Sequence, residues 1–186
     1  MAVTLMRRIG EGVHLHRYHR AIHSPIFFGP TGVKPANRFD SPDGSYKTLY
    51  AARSIETAFG ETFVRVPANP YILSTTIDAR VRSVLVTTRT LRLYPLVDAG
   101  VSAHGLSFTD LHGDAYARTW EISGHIHATT SADGILYTSR FDNQRCIALF
   151  ERASDAVAVS AVSAVPVSPS DAERLAAHFG KTYVAA

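Results

Sequence analysis

The sequence predicts a mixed α/β domain built on a central, strongly twisted, largely antiparallel sheet with flanking helices. Segments rich in β-branched residues outnumber those with helical periodicity. The stretch ILYTSRFDNQRCIALF sets two apolar runs on either side of a polar turn at Phe141 to Arg145, the pattern of a hairpin and hence of antiparallel pairing. The chain has 186 residues, 46% hydrophobic and 19% charged, with a mean hydropathy of +0.01. That is enough for one buried core in a single domain over 1–186, and it excludes a disordered, collagen-like or coiled-coil chain.

Taken in order, the segment around His14–His23 reads as a strand entering a loop. Residues 29–47, GPTGVKPANRFDSPDGSYK, hold three prolines and three glycines and predict a long loop, a kind of segment more often functional than idle. Thr48–Ala52 is short and apolar enough for a strand. Ser54 then caps a helix whose Ile55, Ala58, Phe59, Thr62 and Phe63 recur at i, i+3, i+4, i+7 and i+8. YILSTTI and VRSVLVTT follow as strands, and Asp114 is placed to cap a helix running through Trp120 to about His127. After the hairpin, a strand near AVAVSAVSAV precedes a short helix started by Ser170 and stopped by Gly180.

Composition narrows the function classes. No stretch approaches the ~20 apolar residues of a membrane span, and no apolar run follows the first arginines, so a soluble, cytoplasmic, non-secreted protein is expected. The one cysteine, Cys146, rules out an internal disulfide and a Cys-based zinc cluster. Net charge is only +3, too modest for a dedicated nucleic-acid binder, but residues 1–65 hold nine Lys/Arg against five acids. A local basic excess suits a local anion such as a phosphate. The histidines at 14, 16, 19 and 23, and His125 with His127, lack carboxylates at supporting spacing, so no metal is expected. The G-x-S-x-G elbow, G-x-G-x-x-G and the P-loop are all missing from the sequence.

A polar set remains beside the Pro/Gly loop: Arg17, Tyr18, Arg38, Tyr50 and Glu61. Guanidinium groups grip a diphosphate, an aromatic ring stacks on a flat cationic base, and a carboxylate stabilises an oxocarbenium-like transition state, so the set suits chemistry on a phosphorylated glycoside. Each member also has an ordinary reading. Glu61 lies about 130° from the centre of its helix's apolar stripe and Glu56 on the opposite flank, and periodicity does not choose between them.

The same residues carry a resemblance to the RES-domain family. It begins at HLHRYH, with Arg17 at the family's first arginine, and continues through NRFDSPDGSYKTLYAARSIETAFGET, where Arg38, Tyr50 and Glu61 fall on the second arginine, strand tyrosine and glutamate. It closes at DGILYTSR with Ser139 at the motif serine. Many members carry Gly-Gly-Arg-Trp where this chain has Ala36, Asn37, Arg38 and Phe39, and Arg140 after the serine is unusual. The resemblance implies an ADP-ribosyltransferase-like fold and a bacterial toxin that consumes NAD+ as substrate, by hydrolysis or phosphorolysis or by transfer of ADP-ribose to a host protein. It implies a cognate antitoxin with an Xre-like helix-turn-helix, with no direct nucleic-acid or membrane partner and with room for a homo-oligomer. In that family Arg17 and Arg38 would contact the phosphates or nicotinamide ribose, Tyr18 would help hold the dinucleotide, Tyr50 would pack on nicotinamide, Glu61 would stabilise the cation and Ser139 would orient ribose or nicotinamide. A catalytically inert nucleotide- or nucleic-acid-binding module is the alternative from another class.

Overall fold

The structure, a computed structural model, describes residues 6–29 and 34–185. Residues 30–33 of the expected 29–47 loop lie outside the described residues. The strands are β1 (Arg7–Ile9), β2 (His14–His19), β3 (Thr48–Ala52), β4 (Tyr71–Leu73), β5 (Val81–Thr87), β6 (Leu91–Leu96), β7 (Gly134–Thr138), β8 (Arg145–Phe150), β9 (Val157–Val159), β10 (Val165–Pro166) and β11 (Thr182–Val184). The helices are α1 (Ile55–Phe63), α2 (Ser74–Asp78), α3 (Ala99–Ala103), α4 (Phe108–His112), α5 (Ala117–Thr129) and α6 (Pro169–His178).

One nine-stranded sheet runs β1-β6-β7-β8-β3-β2-β5-β10, with β9 also on β5; β4 and β11 form a small parallel pair of their own. Among the described residues of the large sheet only β6 and β7 pair in parallel, joined by a crossover through α3, α4 and α5. Side chains alternate across it, as the two-residue period of a strand requires. Tyr50, Ala148 and Phe150 face a core shared with α1, α5 and α6, while Leu49, Ile147 and Leu149 face a second core with Leu15, Leu85 and Leu93. Both faces are therefore covered, and the runs TLYAA and CIALF are nearly all apolar because neither strand has a wet side.

The register of β2 is the feature that creates the site. Against β5 it pairs along its whole length, from His14↔Val86 to His19↔Val81. Against β3 it pairs only at His16↔Ala52. Past that point, where the register would bring Tyr18 opposite Tyr50, the two strands part and the sheet opens.

Several expected elements change. YILSTTI is a strand only to Leu73 and then turns into α2, because Ile72 and Ile77 are both core residues and an odd spacing puts them on opposite faces of a strand. One helical turn buries both. Asp114 does not cap α5, which begins after Tyr116 without a side-chain cap; its carboxylate accepts from Arg140 at 2.6 Å. The last helix starts at Ser168, whose hydroxyl accepts from Asp171 N, because Pro169 takes the first helical position where its missing N–H costs nothing. Gly180, at φ 65°, ends it as expected. The AVAVSAVSAV strand is split into β9 and β10.

Candidate functional site

Where β2 and β3 part, a cavity of about 630 Å³ opens, lined from β2 by His16, Arg17 and Tyr18, from β3 by Tyr50, Ala51 and Ala52, and from α1 by Ala58, Glu61 and Thr62. Its volume lies in the range of small-molecule sites, ~300–1,000 Å³. Six arginines line it, at 17, 20, 38, 65, 80 and 140, against two carboxylates, Glu61 and Asp114.

Glu61 sits on α1 because Ser54 fixes the start of that helix, its hydroxyl accepting from Thr57 N at 3.1 Å. Counting from that cap, the apolar residues meet the core and the seventh residue meets the cavity wall. Burial raises the Glu61 carboxyl above its ordinary value of 4.5, opposed by a hydrogen bond from the Ser139 hydroxyl and by the Arg38 and Arg140 charges. Ser139 is fully buried, and its Oγ also accepts from Phe141 N at 3.2 Å. It reaches the cavity through Glu61 rather than lining it. Glu56, on the other flank of α1, pairs with Arg174 at 3.5 Å and stays outside the cavity.

Arg38 is held by a loop bolted at several points. Asp40, fully buried, accepts at Oδ2 from Ala36 N (2.9 Å), Asn37 N (2.7 Å) and Asn37 Nδ2 (3.1 Å). At Oδ1 it accepts from the Tyr50 hydroxyl at 2.9 Å, and that hydroxyl in turn accepts from Phe39 N at 2.9 Å. Trp120 Nε1 donates to Asn37 O and Ser123 Oγ to Phe39 O. The Arg38 guanidinium then donates to Gly113 O at 3.0 Å and lies 4.7 Å over the Tyr116 ring. With its hydroxyl saturated, Tyr50 offers the cavity only its ring.

Arg17 is turned inward. Its Nη1 donates to Pro25 O at 3.0 Å, burial pushes the guanidinium down to about 10, and its Nε is buried without a partner. The Tyr18 hydroxyl is likewise buried and unpartnered, its ring edge-on to Phe59 and Phe63. A buried donor left without an acceptor costs about 1–3 kcal/mol, so two such donors beside one cavity favour a ligand that brings acceptors.

The residues singled out in the sequence thus converge: Arg17, Tyr18, Arg38, Tyr50 and Glu61 line one cavity, with Ser139 behind Glu61. Sequence reasoning missed Asp40, Arg20, Arg65 and Arg80, which come from four separate segments, and left Arg140 without a role. Arg140 bridges His112 O, Asp114 and Arg65 O and packs 5.0 Å over Phe141. Among the histidines, His19 bonds Ser83 at 2.8 Å and His23 stacks on Phe27, one in a strand and the other beyond it, so they share no helical face. Among the described residues there is no group of three or more His, Cys, Asp or Glu able to hold a metal, and no helix long and apolar enough to cross a membrane.

A mixed α/β domain whose sheet opens over an arginine-lined cavity, with the Glu61 carboxylate of α1 in its wall, is the class these features define. The RES domain family model matches residues 7–174, and the chain belongs to that family. Its fold is similar to that of a chain in the crystal structure of the M. tuberculosis MbcT–MbcA toxin–antitoxin complex, with a TM-score of 0.68 and 17% identity over 86% of this chain and 87% of that one. No curated protein matches the sequence.

Proposed function

We propose that this protein is the toxin of a toxin–antitoxin pair and acts by cleaving the nicotinamide–ribose bond of NAD+. The observation that carries the reading is Glu61: a partly buried carboxylate, acted on by Ser139, Arg38 and Arg140, in the wall of a cavity rich in arginine. Family membership and the likeness to a chain of a toxin–antitoxin complex support the toxin assignment and a neutralising partner. The partner proposed is an antitoxin with an Xre-like helix-turn-helix.

The chemistry follows from charge. As the C1′–N bond breaks, its electron pair goes to the pyridinium nitrogen, so nicotinamide leaves neutral and the ribose becomes an oxocarbenium cation. Glu61 faces that cation. A fixed anion stabilises developing positive charge without the reorganisation that solvent would need, because it is already oriented before the reaction. The Arg38 and Arg140 charges favour the ionised form of Glu61, against the burial that raises it. Tyr50 supplies a flat wall for the departing base. Water, or another nucleophile, then adds to C1′ and gives up its proton. Nothing in this sequence of steps calls for a metal.

Incubating purified protein with NAD+, with and without phosphate and cell extract, and identifying the products tests the reading. Release of nicotinamide is expected, with ADP-ribose, its phosphorylated form or a modified protein as the second product. Intact NAD+ under all three conditions would overturn it.

A further inference from the structure

Four of the six cavity arginines, Arg17, Arg20, Arg65 and Arg80, have no function in the scheme above, and the last three come from separate segments. Arg20 directly follows β2, Arg65 lies two residues beyond α1, and Arg80 directly precedes β5. The last β2–β5 pair is His19↔Val81, so one further step of the register sets Arg20 opposite Arg80. Like charges directly opposite on paired strands destabilise a sheet. Arg65 joins them on the same cavity wall. Burial, with the Arg20 and Arg65 charges, holds the Arg80 guanidinium below its ordinary value.

None of the three is in an ion pair among the described residues. Arg80 donates only to the neighbouring Ala79 carbonyl, at 3.3 Å, and Arg65 to the neutral Asn37 side chain, at 3.2 Å. The two carboxylates in the cavity are already engaged, Asp114 by Arg140 and Glu61 by Ser139. Three arginines from three segments, gathered on one concave surface with no acid to balance them, make a clamp with its anion still to come. Arg17, by contrast, spends its guanidinium on the Pro25 and Phe27 carbonyls.

We infer that Arg20, Arg65 and Arg80 form the anion clamp of the cavity and take the diphosphate of a dinucleotide, while Arg38 stays with Glu61 at the reacting end. This rests on the NAD+ reading for the identity of the whole ligand, but the clamp itself requires only a nucleoside diphosphate. A diphosphate offers several acceptor oxygens, and three guanidinium forks can hold them bidentately.

The test uses ADP as probe, with binding measured by calorimetry at two salt concentrations. The variants are Arg20→Gln/Arg80→Gln and, separately, Arg65→Gln. Wild-type protein is expected to bind ADP, and less tightly at high salt. Each variant is expected to lose about 10-fold or more in ADP affinity, and the double variant to be no less thermally stable, because it relieves a like-charge pair. With NAD+, KM should rise by a similar factor while kcat changes little, and nicotinamide riboside, which carries no phosphate, should be handled almost equally by variant and wild type. Loss of ADP binding in the variants supports the clamp even if the wild type leaves NAD+ intact, an outcome that removes the catalytic reading alone. Failure of the wild type to bind ADP, or unchanged ADP affinity in both variants, overturns the clamp.

Discussion

Asp40→Asn tests whether the Arg38 loop is held as described. The carboxylate accepts four hydrogen bonds, three at Oδ2 from Ala36 N, Asn37 N and Asn37 Nδ2, and one at Oδ1 from the Tyr50 hydroxyl. An asparagine has a single acceptor oxygen. If that oxygen serves the two backbone amides, its NH2 faces a Tyr50 hydroxyl that already accepts from Phe39 N, and the hydroxyl proton loses its acceptor. If the amide flips, three donors lose theirs. The milder case leaves one buried donor unsatisfied, about 1–3 kcal/mol, and weakens the remaining bonds by removing the charge, so a total near 3 kcal/mol is expected. For a chain of this length that lowers Tm by roughly 6–12 °C. Displacement of the loop should also raise KM for NAD+ about 10-fold with a smaller change in kcat. Tyr50→Phe, which removes the same hydroxyl, should cost less, and the double variant should cost less than the sum because both remove one shared bond. Thermal denaturation and steady-state kinetics provide the readouts. An Asp40→Asn protein within 0.5 kcal/mol of wild type and with unchanged KM would refute the clasp.

Two further predictions follow from the same geometry. Arg38→Ala should weaken NAD+ binding by roughly 10-fold or more while leaving the fold intact, and Arg38→Lys should recover only part of it, since an ammonium cannot both donate to Gly113 O and lie flat over Tyr116; equal affinities by calorimetry would reduce Arg38 to a loop residue. The Glu61 carboxyl is raised on folding, so it binds its proton more tightly in the native state; its ionisation costs stability at pH 7, and that cost disappears as pH falls below the ordinary value of 4.5. Glu61→Gln should therefore be at least as stable as wild type at pH 7 and gain nothing at pH 4, and wild-type kcat/KM should fall on an acid limb that begins above pH 4.5. A variant less stable at pH 7, or a limb at or below 4.5, would contradict the assignment.

Local rules read the sequence well wherever one element answers to one neighbour. The Ser54 cap and the spacing of Ile55, Ala58, Phe59 and Phe63 give α1, and Thr48–Ala52 gives β3 with the bounds observed. The same rules fail where tertiary burial decides. Thr75, Thr76 and Ile77 favour a strand by type, yet Ile77 reaches the core only through a helical turn. Strand β6 carries Pro95 and pairs in parallel with a strand some forty residues on, a partner no local pattern announces. Periodicity also leaves Glu61 and Glu56 equivalent because it knows only the core side of a helix. The cavity on one flank takes in Glu61, and Arg174 on the other pairs with Glu56. The clamp arginines are illegible for a related reason: Arg20, Arg65 and Arg80 are far apart in sequence, and only the β2–β5 register and the end of α1 bring them together.

The central claim is that the charge of Glu61 drives the bond cleavage, and nicotinamide release from NAD+ by Glu61→Gln and Glu56→Gln, measured side by side, tests it most directly. The amide keeps the shape of the side chain and its bond with Ser139 while removing the anion. Turnover by Glu61→Gln should fall roughly 100-fold or more with NAD+ binding largely kept, since a lost electrostatic contact to a transition state costs a few kcal/mol. Glu56→Gln, which loses only a surface pair with Arg174, should remain as active as wild type. Equal activity in the two variants, or equal loss in both, would contradict the account.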